Sequence, residues 1–131
     1  MEAIKENIPR ITDLVNTELE RLGCSVKAQM AIDIALDEIL ANISRYAYAP
    51  GTGMVEVCVD HDPQNQTAVI IFRDSGIPFD PLQKEEPDTS LSAKERDIGG
   101  LGIFLVRKTM DAMEYRREDG FNILTIRKKI M

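Results

Sequence analysis

Four branched aliphatic residues, Ile32, Leu36, Ile39 and Ile43, recur at intervals of four, three and four. That spacing lines one face of an α-helix. Ser25 is a natural N-cap, and the pattern continues from it to about Tyr46. A helix of this length with one apolar face must bury that face against a second layer. The remaining sequence shows what the layer is.

Two stretches alternate as strands do: MVEVCVD at 54–60 and TAVIIFRD at 67–74, joined by the turn HDPQNQ, which contains the only histidine, His61. They read as a hairpin, and the β-branched and aromatic run of the second suggests burial on both faces. A second hairpin is formed by AMEYRRE and FNILTIRKK around Asp119-Gly120, a two-residue turn signal. Helical spacing also appears at Leu14, Val15, Leu19 and Leu22, with Thr12 as N-cap and Gly23 as stop, and again at Ile103, Val106 and Met110. MEAIKENIPRI suits a short edge strand that ends at Pro9, which has no N–H to give a ladder. YAPGTG closes the long helix with turn formers. Regularity stops after Asp74 and resumes only at GGLG, residues 99–102. Structureless connections of that length tend to be lids or binding loops. The order of elements predicts an α+β fold in which a largely antiparallel sheet is covered on one face by three helices, in a single domain over residues 1–131.

A chain of 131 residues, 44% hydrophobic, has the material for one real core. It contains no run of 18 apolar residues and no basic start followed by a short apolar stretch, so neither a membrane span nor a secretory signal is expected, and the location expected is cytoplasmic. Cys24 and Cys58 lie far apart with no metal-like spacing and read as small buried hydrophobes with reduced thiols. The net charge of −6 opposes attraction to phosphate backbones, so no direct contact with nucleic acid is expected. A single nucleotide remains admissible where local N–H groups, cations or a metal offset its charge.

Three constellations carry possible chemistry. In DEILANISR, residues 37–45, Glu38 and Asn42 are four apart on a helical face that also carries Ala31, Ala35 and Arg45. Lining a pocket, the Asn42 amide oxygen suits Mg²⁺, which takes a few protein oxygens plus water and substrate phosphates, and Glu38 suits a general base. The same spacing also fits a solvated surface. In DSGIPFDP, residues 74–81, Asp74 ends a strand where a carboxylate can accept from an exocyclic amine such as that of adenine, and Gly76 permits close approach of a planar ring. Its alternative is an Asx-type turn in which Asp74 satisfies local N–H groups. GGLG opens a helix, where free N–H groups and the helix dipole favour phosphate; a hinge and cap is the competing reading. It is neither a P-loop nor a dinucleotide fingerprint.

In their order, these three segments resemble the N, G1 and G2 boxes of the GHKL ATP-binding superfamily. GIPFDP followed by GGLGIFLV is most similar to bacterial anti-sigma factor serine/threonine kinases, which oppose STAS-domain anti-anti-sigma partners. The resemblance covers almost the full length. It implies the Bergerat fold, binding of ATP and Mg²⁺, a sigma factor as client and a homodimer. By position it makes Glu38 the catalytic glutamate, Asn42 the magnesium ligand and Asp74 the adenine-recognising aspartate, with Gly76 beside the ring. Gly99, Gly100, Leu101, Gly102 and Ile103 fall in and after the phosphate loop, Arg45 follows the N box, and Thr125 matches a threonine that helps bind adenine through water. Residues 83–98 would be the ATP lid, with Lys94 and Arg96 as phosphate contacts. One departure is Tyr46, in YAY, where related kinases often have histidine. His61, in its expected turn, suits no phosphoacceptor role, so a histidine kinase carrying its own acceptor is not expected.

Overall fold

The computed structural model describes residues 1–48, 51–78, 80 and 100–130. Lys94, Arg96, Gly99 and the expected lid at 83–98 lie outside them. After a 3₁₀ turn at Lys5–Asn7, helix α1 spans Ile8–Arg21. It begins four residues before the expected cap at Thr12, because Pro9 falls in the first turn, where a missing N–H is no loss. Ile11, Val15 and Leu19 form its buried stripe, whereas Leu14, expected on it, is 59% exposed. Gly23 ends the unit at φ +76°, a conformation that favours glycine.

Helix α2, Val26–Asn42, starts where the Ser25 hydroxyl accepts the Ala28 N–H at 3.1 Å. Its last expected turn is not α-helical: Ile43–Ala47 forms a π turn, a rare wider form that recurs at functional sites. Strands β1 (Val55–Asp62) and β2 (Thr67–Asp74) pair from Val55↔Asp74 to Asp62↔Thr67. His61 therefore belongs to β1, opposite Ala68, rather than to a turn. Helix α3 is Gly100–Thr109 and starts within the glycine segment as expected. Strands β3 (Ala112–Glu118) and β4 (Phe121–Lys129) meet at Asp119 and Gly120, with φ +53° and +82°. Both angles are those of a type I′ turn.

All pairings are antiparallel and the sheet order is β1-β2-β4-β3. The expected edge strand is reduced to residues 1–3 beside β1, with Glu2 bridging Met54 and Ala3 N–H donating to the Gly53 carbonyl at 2.7 Å. Helices cover one sheet face, so Ile70, Phe72, Leu124 and Ile126 pack with Leu19, Ile32, Leu36 and Val106. The far face has no second layer among the described residues. Val69 and Ile71 there are only half-buried, which corrects the expectation that β2 is buried on both sides. Cys58 shares this outer face and is exposed, not buried as expected, while Cys24 packs half-buried against the core; both are free. Among the described residues no helix is long and apolar enough to cross a membrane.

Candidate nucleotide site

The end of α2, its π turn, the end of β2, α3 and the second hairpin line a small recess with an open volume of about 30 Å³, well below that of a small-ligand cleft. Its walls are mainly apolar: Ile39, Phe72, Ile103 and Leu124 line it, with Asn42, Asp74, Tyr115 and Asn122 as the polar groups. Ile103 is 2% exposed and lies one turn into the helix that opens with Gly100, Leu101 and Gly102. That turn's backbone thereby starts next to the recess.

Asn42 is 4% exposed, and both its side-chain Oδ1 and Nδ2 are buried without a hydrogen-bond partner among the described residues. An unpaired buried amide costs free energy, so natural structures satisfy it with something. Here the amide looks into the recess, and its oxygen suits a hard cation held otherwise by water and phosphates. No cluster of three or more His, Cys, Asp or Glu suited to a metal occurs among the described residues.

Glu38 takes a different direction. It is half-buried and lines an open groove beside the recess, together with Lys5, Pro9, Asp37 and the exposed Arg45. Four residues turn a helix about 400°, so a side chain at i+4 is displaced by about 40° from one at i. Asn42 lies on the core side of that displacement and Glu38 on the solvent side. Among the described residues no recess is lined by both.

Asp74 is 5% exposed, and its Oδ1 accepts from Gly76 N–H at 2.9 Å and from Asn122 Nδ2 at 3.0 Å. The first bond is the Asx turn offered as the alternative reading. It leaves Oδ2 without a partner among the described residues, so turn and ligand acceptor coexist in one carboxylate. Gly76 does not itself line the recess but packs behind Ala47, which does. A Cβ there would fall 2.2 Å from the Ala47 carbonyl oxygen, and Ile77 N–H donates to that same oxygen at 2.8 Å. Its missing side chain serves the close packing of this turn on the π turn.

Thr125 requires correction. It pairs with Ile71 and Glu114 on the outer sheet face, whereas Asn122, Leu124 and Ile126 face the helices. Successive strand residues alternate faces, so odd positions of β4 point away from the recess. The polar β4 residue at the site is Asn122, opposite Asp74. Sequence reasoning missed it because Phe121 and Ile123 are as apolar as Leu124 and Ile126, leaving the inward parity undecided. It also missed Tyr48, whose hydroxyl accepts Ser75 N–H at 2.8 Å and donates to the Met54 carbonyl at 2.6 Å, anchoring the residue after Asp74.

A family model described as a histidine kinase-like ATPase domain matches residues 1–128. The serine/threonine-protein kinase BtrW of Bordetella bronchiseptica is 30% identical over 102 residues, 78% of this chain and 71% of that protein. Among solved structures, the histidine kinase domain of the blue-light activated histidine kinase of Erythrobacter litoralis superposes with a TM-score of 0.58 at 17% identity, covering 94% of this chain and 59% of that one. The histidine kinase AdeS of Acinetobacter baumannii gives 0.53 at 18% identity, covering 78% and 47%. This chain thus spans less than two thirds of those two structures, and at such identities they speak for the fold alone. With the two-layer α+β architecture and a family match that runs from the first residue into β4, the chain belongs to the histidine kinase-like ATPase domain family, of GHKL type.

Proposed function

We propose that this ATP-binding domain is a protein serine/threonine kinase of the anti-sigma type, which phosphorylates a STAS-domain anti-anti-sigma partner and sequesters a sigma factor in the cytoplasm. The observation that carries the nucleotide part is the buried Asn42 amide, unpartnered among the described residues, lining the same recess as Asp74, whose Oδ2 has no partner among them. The polar lining of the recess suits the edge of a base, with Asp74 accepting from its exocyclic amine. Asn42 would hold Mg²⁺, which when bound neutralises phosphate charge and orients the chain for in-line transfer. The N–H groups at the start of α3 favour the phosphates.

Glu38 lies in the solvent-open groove where a partner's hydroxyl can arrive, and in this reading it takes the proton of that hydroxyl. The serine oxygen then bonds to the γ-phosphorus while the bridging bond to the β-phosphate breaks, and ADP leaves with that electron pair. The name of the Bordetella relative supports a serine or threonine as acceptor. The test is a mixture of this protein, Mg-ATP and STAS-domain proteins from the same genome, followed by mass spectrometry. A gain of one phosphate on a serine or threonine is the expected result, and no transfer to any of them refutes the kinase reading.

The outward direction of Glu38 favours a second reading, a nucleotide-gated binding module without transfer activity. It is distinguished by the same mixture: ATP-dependent complex formation with no mass gain supports it.

A further inference from the structure

A carboxylate can recognise an amine only if one oxygen is turned toward it and free. For Asp74 that orientation depends on what holds Oδ1. Gly76 N–H is one holder and belongs to the same turn. The other is Asn122, 48 residues away, placed directly opposite by the β2–β4 register.

Asn122 is itself fixed. Its Nδ2 also donates to the Ile77 carbonyl at 2.8 Å, and its Oδ1 accepts from the Tyr115 hydroxyl and from Arg117 at 3.2 Å. Arg117 donates further to the Gly76 carbonyl at 2.7 Å. A guanidinium can only donate, so the amide oxygen of Asn122 must face it and the NH₂ must face Asp74. The amide cannot flip without setting donor against donor. Asp74 therefore keeps Oδ1 on its two donors, which leaves Oδ2 for whatever enters.

We infer that Asn122 is the positioning residue for nucleobase selection: with Tyr115 and Arg117 behind it, it orients the Asp74 carboxylate so that the site takes a purine with an amine at position 6 and rejects one with hydrogen or oxygen there. A carbonyl in that place would set oxygen against carboxylate oxygen, and a site built for a donor discriminates strongly against its absence. The inference rests on the reading of the recess as the base site of ATP.

The experiment measures binding of ATP and of purine riboside triphosphate, which lacks the amine, by calorimetry on the full chain. The wild type should prefer ATP by about 10- to 100-fold, as loss of one charge-assisted hydrogen bond implies. Asn122→Asp keeps the shape and the oxygens facing Tyr115 and Arg117 but sets a second carboxylate against Asp74; it should bring the two affinities to within about threefold. Arg117→Met, at an exposed position, frees the Asn122 amide without touching the core and should lower the preference by about threefold, which keeps the inference testable if the first variant does not fold. Equal weakening of both nucleotides, with the ratio unchanged in either folded variant, makes Asn122 merely structural and overturns the inference. A wild type that binds both equally well overturns the base-site reading itself, and the inference with it.

Discussion

Asp74→Asn separates binding from stability more cleanly than any other single change. The substitution conserves shape, and the new amide can keep its oxygen toward Gly76 N–H and Asn122 Nδ2, the two donors now at 2.9 and 3.0 Å. Its NH₂ group then occupies the place of Oδ2 and meets the base amine donor to donor. The lost charge-assisted bond is worth about 1.5–3 kcal/mol, so ATP affinity should fall about 10- to 150-fold. Stability should fall far less: two neutral bonds replace two charged ones, a difference of about 1 kcal/mol, or about 3–5 °C in melting temperature for a chain of this size. Asp74→Ala strips the acceptor from both donors and should cost about 2–4 kcal/mol. Calorimetric titration with Mg-ATP and thermal melting of the same samples provide both numbers. Unchanged ATP affinity in a stably folded Asp74→Asn protein refutes the assignment of Oδ2 to the base.

Three further outcomes are expected. Glu38→Ala should lower single-turnover phosphotransfer by about 10²- to 10⁴-fold while leaving the nucleotide dissociation constant within about twofold; transfer at the wild-type rate means another group takes the proton. Gly76→Ala places a methyl against backbone rather than a yielding side chain, since its Cβ would lie 2.2 Å from Ala47 O and 2.6 Å from Ala47 C, and should cost about 3 kcal/mol in denaturant unfolding; wild-type stability would show that the turn can move away. Burial, and then the nearby charges of Asp37 and Asp13, raise the Asp33 carboxyl above its usual value against a lowering hydrogen bond with Asn16. Its ionisation thus weakens the fold as pH rises through the raised value and not below the unfolded value of about 4. Asp33→Asn should stabilise the fold at pH 7 with no gain at pH 3, where Asp33 itself is protonated; a gain of equal size at both pH values rules out the charge as the cause.

Much of the architecture was legible because periodicity is local. The 4-3-4 spacing in α2, the Ser25 cap and the Asp119-Gly120 turn each declare themselves within a few residues. Features that depend on a distant neighbour did not. The π turn after Asn42 exists where Ala47 meets Ile77, and no local signal marks it. The exposure of one face of β2 reflects the lack of a second layer among the described residues, which a hydrophobic run cannot announce. At the site, Asp74 stood out as an acidic residue ending a strand and Asn42 by its four-residue interval from Glu38. Asn122 was hidden by a strand apolar at both parities, and Thr125 drew attention on the wrong one. Glu38 and Asn42 look equivalent as an interval, and only the direction of the core tells them apart.

The strand order also bears on timing. β4, the last strand of the chain described, sits inside the sheet between β2 and β3 rather than at an edge. Asp74 meets Asn122 across 48 positions and Gly76 meets Arg117 across 41, so the base end of the recess forms only when the final hairpin has docked. Closing such loops is entropically costly before any contact rewards it. A nucleotide held there binds only the finished site. Saturating ATP should therefore slow unfolding while leaving the refolding rate nearly unchanged, turning a ligand for the finished site into a kinetic lock on the C-terminal hairpin.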